Sequence, residues 1–276
     1  MLIRGDFALS GTIFRLSVAF PVGVLALLAL SFSLAGYYED EQQRLVAAGD
    51  TRGALEATER AARLDPFDTD ALEARASILQ QQNDYEGASA ALREAIERDP
   101  SNYLPYLFLG NLQIQRGDRD AAVESYRDVL ELNPKASGTS IYLAQTLTAQ
   151  GKLEEAKEEY LKLEREDRIS FEGLYDLGRI EVRTGEAREG LKDIKRARRQ
   201  ARSGLGELEG VLRTQRQQLL VSMDLAVADA MVVAGREERA RDVLEASPSE
   251  QAPSLLQLLD SNPEAYREQV VNSDLY

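Results

Sequence analysis

The chain has 276 residues, 43% hydrophobic and 29% charged, a folded composition with enough length to bury a sizeable core. It contains no cysteine and no histidine, which excludes disulfides, thiolate metal sites, cysteine nucleophiles, serine–histidine triads and histidine phosphorelays. The formal net charge of −14 argues against nucleic acid as a partner, because phosphate contacts require clustered positive charge.

The first element is apolar. Residues 1–15 are expected as a short cytoplasmic N-terminus, and the 23 residues from Leu16 to Tyr38 carry no charge. As a helix that run spans about 34 Å, enough for a hydrocarbon core of about 30 Å. It predicts a transmembrane helix over 16–38. Arg4 and Arg15 precede the span and Glu39, Asp40 and Glu41 follow it, which places the N-terminus in the cytoplasm and the rest of the chain outside it. Ser33-Leu34-Ala35 also offers small residues to a signal peptidase, and cleavage after Ala35 would leave a secreted or periplasmic protein. The run exceeds the roughly 7–15 residues of a signal peptide's apolar region, which favours an uncleaved anchor. Tyr37 stands where a lipidated cysteine would have to be, so lipoprotein processing is excluded.

Beyond the span the sequence repeats. Pro66, Pro100 and Pro134 are 34 residues apart, and so are Gly49, Asn83, Gly117, Gly151 and Gly185. Five residues after each of those turns stands a small residue: Ala54, Ala88, Ala122, Ala156 and Gly190. Each unit reads as two amphipathic helices, the first ended by a left-handed glycine or asparagine and the second closed by proline. In residues 103–136, Tyr106, Leu109, Gly110 and Gln113 mark the first helix, and Ala122, Tyr126 and Val129 mark the second. The fourth and fifth units carry Arg168 and Arg202 in place of the closing proline.

This pattern resembles the tetratricopeptide repeat, a 34-residue helix–turn–helix module. The resemblance covers residues 35–204 as five units beginning at Ala35, Thr69, Tyr103, Ser137 and Phe171. A 16-residue insertion is expected to lengthen the helices before a sixth pair, so that 205–248 holds insertion and pair together. Ala228, Gly235-Arg236, Ala240, Leu244 and Pro248 mark that pair. Residues 249–276, around Pro253 and Pro263, are expected as short capping helices. The fold class implied is all-α: a right-handed α-solenoid of helix–turn–helix repeats following one N-terminal transmembrane helix.

The resemblance also implies a concave wall lined by the first helix of each unit. Carried onto this chain, that wall comprises Asp70, Glu73, Ser77 and Gln80, then Leu104, Leu107, Phe108, Asn111 and Ile114, then Ile141, Tyr142, Gln145 and Thr148, then Tyr175, Asp176, Arg179 and Arg183. A polar row with apolar neighbours suits the backbone and side chains of an extended protein or peptide partner. The same apolar residues could instead pack on neighbouring units or on the chain's own C-terminal segment. The basic run of Lys195, Arg196, Arg198, Arg199 and Arg202 could contact an anionic partner or lipid, or form a solvated face balanced by Glu186, Glu189 and Asp193. Gly204, Gly206 and Gly210 follow no strand and read as a helix break rather than a phosphate loop.

No catalytic constellation, cofactor or metal is expected. The sequence points to a non-enzymatic scaffold anchored in the membrane of a cell envelope, bacterial by preference, with a protein or peptide partner in its groove. An accessory of surface-polysaccharide assembly, or of a pilus or secretion machine, is the narrower alternative. A secreted repeat module and a carboxylate-dependent hydrolase in the C-terminal quarter are the readings from other classes.

Overall fold

The structure, a computed structural model, describes the backbone of residues 6–273 and 275 and the side chains of residues 20–273 and 275. Arg4, the side chain of Arg15, Asp274 and Tyr276 lie outside the described residues. Among these residues the chain is helical without strands. The helices are α1 (Asp6–Ala47), α2 (Thr51–Leu64), α3 (Asp70–Gln81), α4 (Tyr85–Arg98), α5 (Tyr103–Gln115), α6 (Arg119–Leu132) and α7 (Ser137–Ala149). They continue with α8 (Leu153–Arg165), α9 (Phe171–Arg183), α10 (Ala187–Ser203), α11 (Gly210–Val233), α12 (Glu237–Glu245), α13 (Ala252–Ser261) and α14 (Pro263–Asn272). The chain divides into two compact units, residues 1–118 and 119–276.

The repeat phase is written in the turns. Gly49, Asn83, Gly117, Gly151, Gly185 and Gly235 all take positive φ, between 63° and 93°. The next residue's N–H then reaches back to the first helix, as from Asp84 to the Leu79 carbonyl at 2.9 Å and from Arg236 to that of Met231 at 2.8 Å. These bonds satisfy carbonyls that the helix end would otherwise leave without partners. Asn83 is the one non-glycine of the six, and its short polar side chain tolerates that backbone. Asp50 and Asp84 then cap the second helices by accepting from Gly53 N and Gly87 N.

In the N-terminal unit α1 runs without a break from Asp6 to Ala47, so the apolar helix and the first helix of the first repeat are one rod. The expected end of the span at residue 38 is therefore not a helix end. Packing begins within the apolar stretch. Ser31 Oγ donates to the Leu64 carbonyl at 2.6 Å, Ala35 is buried, and Tyr38 packs on Ala61, Ala62, Leu72 and Ala95. Phe20, Leu25, Leu27 and Leu30 are bare.

In the C-terminal unit α9 and α10 approach most closely where Gly178 faces Gly190. A Cβ on Gly178 would stand 2.7 Å from the Gly190 carbonyl oxygen. The insertion extends α10 to 17 residues and α11 to 24. With α12 it forms the sixth pair, and α13 and α14 close the core over Val227, Met231, Leu244 and Tyr266.

Candidate partner-binding surfaces

Side chains on the first-helix faces decide what these repeats can hold. In the N-terminal unit, α5 turns Phe108 and Ile114 outward, 41% and 38% exposed, while Leu104, Leu107 and Asn111 are half-buried. A single exposed apolar side chain is ordinary, so what Phe108 borders decides its meaning. Phe108 borders a cavity of about 350 Å³ formed with Ala74, Ser77 and Gln80 of α3, Leu92 of α4 and Leu112 of α5. Small residues on α3 make the space, and Leu92 and Leu112 make it apolar. Its polar edge is acidic. Glu73 is raised above the usual carboxylate range, first by burial, although Thr69 and Asn102 hydrogen-bond it. Asp70 and Glu39, raised by burial and then by neighbouring carboxylates including Asp68, line a separate cavity with Gln42, Gln43 and Thr58 rather than this one.

In the C-terminal unit Tyr142 is 46% exposed and packs on Tyr126 at 6.0 Å between ring centroids. Ile141 is half-buried beside it. Burial, and then Tyr142, pushes the Tyr126 phenol up to about 12. Gln145 is half-buried and is engaged with Asp176, which does not reach the surface the sequence suggested. Asp176 is buried and accepts from Tyr160 at 3.2 Å and from Gln145 at 3.4 Å, so it ties α8 and α7 to α9.

Arg179 and Arg183 are already engaged by the chain itself. Arg179 stacks over Tyr175 at 5.2 Å and donates to the Leu275 carbonyl at 2.7 Å. Arg183 donates to the Ser273 carbonyl at 3.0 Å and to its hydroxyl at 2.7 Å. Behind them Tyr266 donates to the buried Asp229 at 2.8 Å. Burial raises Asp229 to about 6, against the opposing pull of Tyr266, Arg183 and Arg179. Sequence reading missed Ser273, Leu275 and Asp229. Its one available signal was the i, i+4 arginine pair on an inner face.

The basic run of α10 is partly spent. Arg196 pairs with Glu164 and Arg198 with Asp224, each at 2.5 Å, while Arg199 and Arg202 are exposed and Lys195 is half-buried. Burial, and then Arg236 and Arg239, lower Lys195. The balancing acids are thus Glu164 and Asp224 rather than the expected three. Glu186 instead pairs with Lys157 at 3.3 Å. Asp193 lies buried against Glu181, which is 4% exposed and pushed up to about 8 by burial and then by Asp193, Glu186, Glu164 and Glu189. Asp193 is itself raised, first by burial and then by Glu164. Among the described residues no three histidine, cysteine, aspartate or glutamate side chains are grouped to hold a metal.

Residues 42–103 and 113–170 match two models of the tetratricopeptide repeat family. Over those two stretches the chain is similar to the tetratricopeptide repeat. Solved structures of similar fold include the tetratricopeptide repeat protein from Parabacteroides merdae ATCC 43184, at 16% identity and TM-score 0.57, covering 88% of this chain and 94% of that one. PilF of Pseudomonas aeruginosa is 16% identical with TM-score 0.55, covering 87% and 97%. MamA of Desulfovibrio magneticus RS-1, residues 41 to the end, is 19% identical with TM-score 0.53, covering 62% and 96%. At these identities the likeness shows the fold. A search of curated proteins finds no match.

Proposed function

We propose that this protein is a non-enzymatic scaffold whose tetratricopeptide repeats hold a segment of a protein partner, and whose N-terminal helix fixes the complex at a membrane. The observation that carries the reading is Phe108, exposed beside an apolar cavity with an acidic edge. A partner segment with one large apolar side chain and a lysine or arginine beside it fits that arrangement. The apolar side chain enters the cavity, a gain of about 1.5–3 kcal/mol. The cation meets Glu73, the carboxylate that lines this cavity and is raised by its burial. Tyr142 offers a second exposed aromatic on the C-terminal unit.

Support for anchoring comes from α1. Phe20–Ala47 is long and apolar enough to cross a bilayer, and its apolar side chains from Phe20 to Leu30 are bare. The flanking charges favour an N-terminus in the cytoplasm and repeats outside it. Packing of α1 on α2 from Ser31 onward would hold the repeats close to the bilayer surface.

The test compares the full chain with its Phe108→Ala variant for capture of a crosslinked partner, after the two show equal helicity and melting temperature. Loss of a central aromatic anchor costs about 2 kcal/mol, or roughly thirtyfold in affinity. Equal capture of the same partner would reject the surface. Proteolysis in sealed vesicles tests the topology, since repeats lying outside the cytoplasmic membrane must be cut from that side alone.

A further inference from the structure

The face of α9 in the C-terminal unit is occupied by a piece of the chain itself, and the manner of occupation is that of a bound ligand. Helix α14 ends at Asn272, and Ser273 continues with extended backbone, φ −74° and ψ 144°. Two arginines one helical turn apart meet this segment. Arg183 takes the carbonyl and hydroxyl of Ser273, and Arg179 takes the carbonyl of Leu275 two residues on. The Leu275 side chain is buried, 8% exposed. Main-chain carbonyls read at a two-residue interval, with one side chain buried between polar contacts, are how extended peptides are recognised.

Arg183 is lowered by burial and then by Arg179, against the opposing pull of Asp229 and Tyr175. Asp176 pairs with Arg179 at 3.7 Å, and Tyr266 donates to Asp229. The sequence of the resident segment is Ser273-Asp274-Leu275. Beside Ser273 and Leu275 lies a cavity of about 420 Å³, bordered by Thr148, Gly151 and Leu153 of the α7–α8 hairpin. A few hydrogen bonds and one leucine next to open space belong to the low-stability end of a fold.

We propose that Arg179 and Arg183 form a receptor site for an extended Ser-x-Leu segment of a partner protein, and that Ser273 and Leu275 occupy it as a resident competitor. The site belongs to α9 and is independent of the cavity beside Phe108, so either can fail without the other.

The experiment measures fluorescence anisotropy of a labelled Val-Asn-Ser-Asp-Leu-Tyr peptide against the full chain in detergent. The protein forms are wild type, Leu275→Asp to evict the resident segment, and Leu275→Asp with Arg179→Ala and Arg183→Ala. Leu275→Gly replaces Leu275→Asp if the latter does not fold, and circular dichroism checks every form. Eviction should tighten peptide binding at least about tenfold over wild type, the arginine changes should remove it, and a peptide with Asp in place of Leu should not bind. Equal binding by wild type and the evicted variant overturns the competition. Binding that survives loss of both arginines overturns the receptor site.

Discussion

Replacing Gly190 by alanine tests the close approach of α9 and α10. A Cβ there would overlap the Gly178 carbonyl oxygen and stand 2.8 Å from Val182 Cγ2 and 3.0 Å from its backbone nitrogen. Two of those three atoms are backbone, so no rotamer change relieves the overlap. The helices α9 and α10 must separate by most of an ångström, loosening Leu177, Ile180, Leu191 and Ile194, all nearly fully buried. Overpacking of this kind costs about 3 kcal/mol, at the upper end of its range. Alanine returns about 1 kcal/mol through helix propensity. The net expectation is a loss of about 2 kcal/mol, read as a lower denaturation midpoint in urea at unchanged slope. Gly178→Ala should cost a similar amount, and the double variant less than the sum, because helices already separated accept the second methyl. Gly138 lies in α7 with nothing within 4 Å of its would-be Cβ, and Gly138→Ala should be neutral or slightly stabilising. Gly190→Ala as stable as wild type would refute the reasoning.

Three further outcomes are expected. Glu181 stands near 8 in the fold against an ordinary 4.5, so the folded state holds its proton more tightly and this group's contribution to stability falls as pH rises from about 4.5 to about 8. Glu181→Gln should remove that fall and raise the melting temperature at pH 8 but not at pH 4.5; parallel pH profiles for the two proteins would contradict it. Tyr266→Phe strips the donor from buried Asp229 and should cost about 1–3 kcal/mol by thermal melting, with Asp229 titrating above its present value of about 6. Unchanged stability would mean that Asp229 finds another donor. Arg196→Ala, which frees Glu164, should cost no more than about 1 kcal/mol, because that pair is half-exposed, and a larger loss would show that Arg196 has a further role.

What the sequence made legible was local and periodic. Each of the five turn residues picked out by the 34-residue spacing adopts the left-handed backbone, because glycine or asparagine is needed wherever a helix stops that way. The close contact of small residues is met at Gly178 and Gly190. Gly235 stands in the turn between α11 and α12, Pro253 in the first turn of α13, and Pro263 opens α14. The boundary between apolar span and first repeat was not legible. No proline or turn stands between them, and Gly36, with nothing within 4 Å, interrupts nothing in α1. Asp176 was misplaced because one step around a helix changes the facing neighbour, here Tyr160. The carboxylate of Asp224 that pairs with Arg198 lies in α11, and the Ser273 carbonyl is 90 residues from Arg183. Contacts across such separations leave no period to read.

The account stands or falls on whether the first-helix face beside Phe108 touches a protein partner in the membrane-bound chain. A photoreactive side chain placed at residue 108 of the full-length protein, in intact cells, reads that contact directly, with Arg93 on the exposed side of α4 as the control position. The account predicts a discrete crosslinked partner from position 108, absent from position 93 and competed by an apolar–basic peptide. No product at 108, or the same products from both positions, would contradict it.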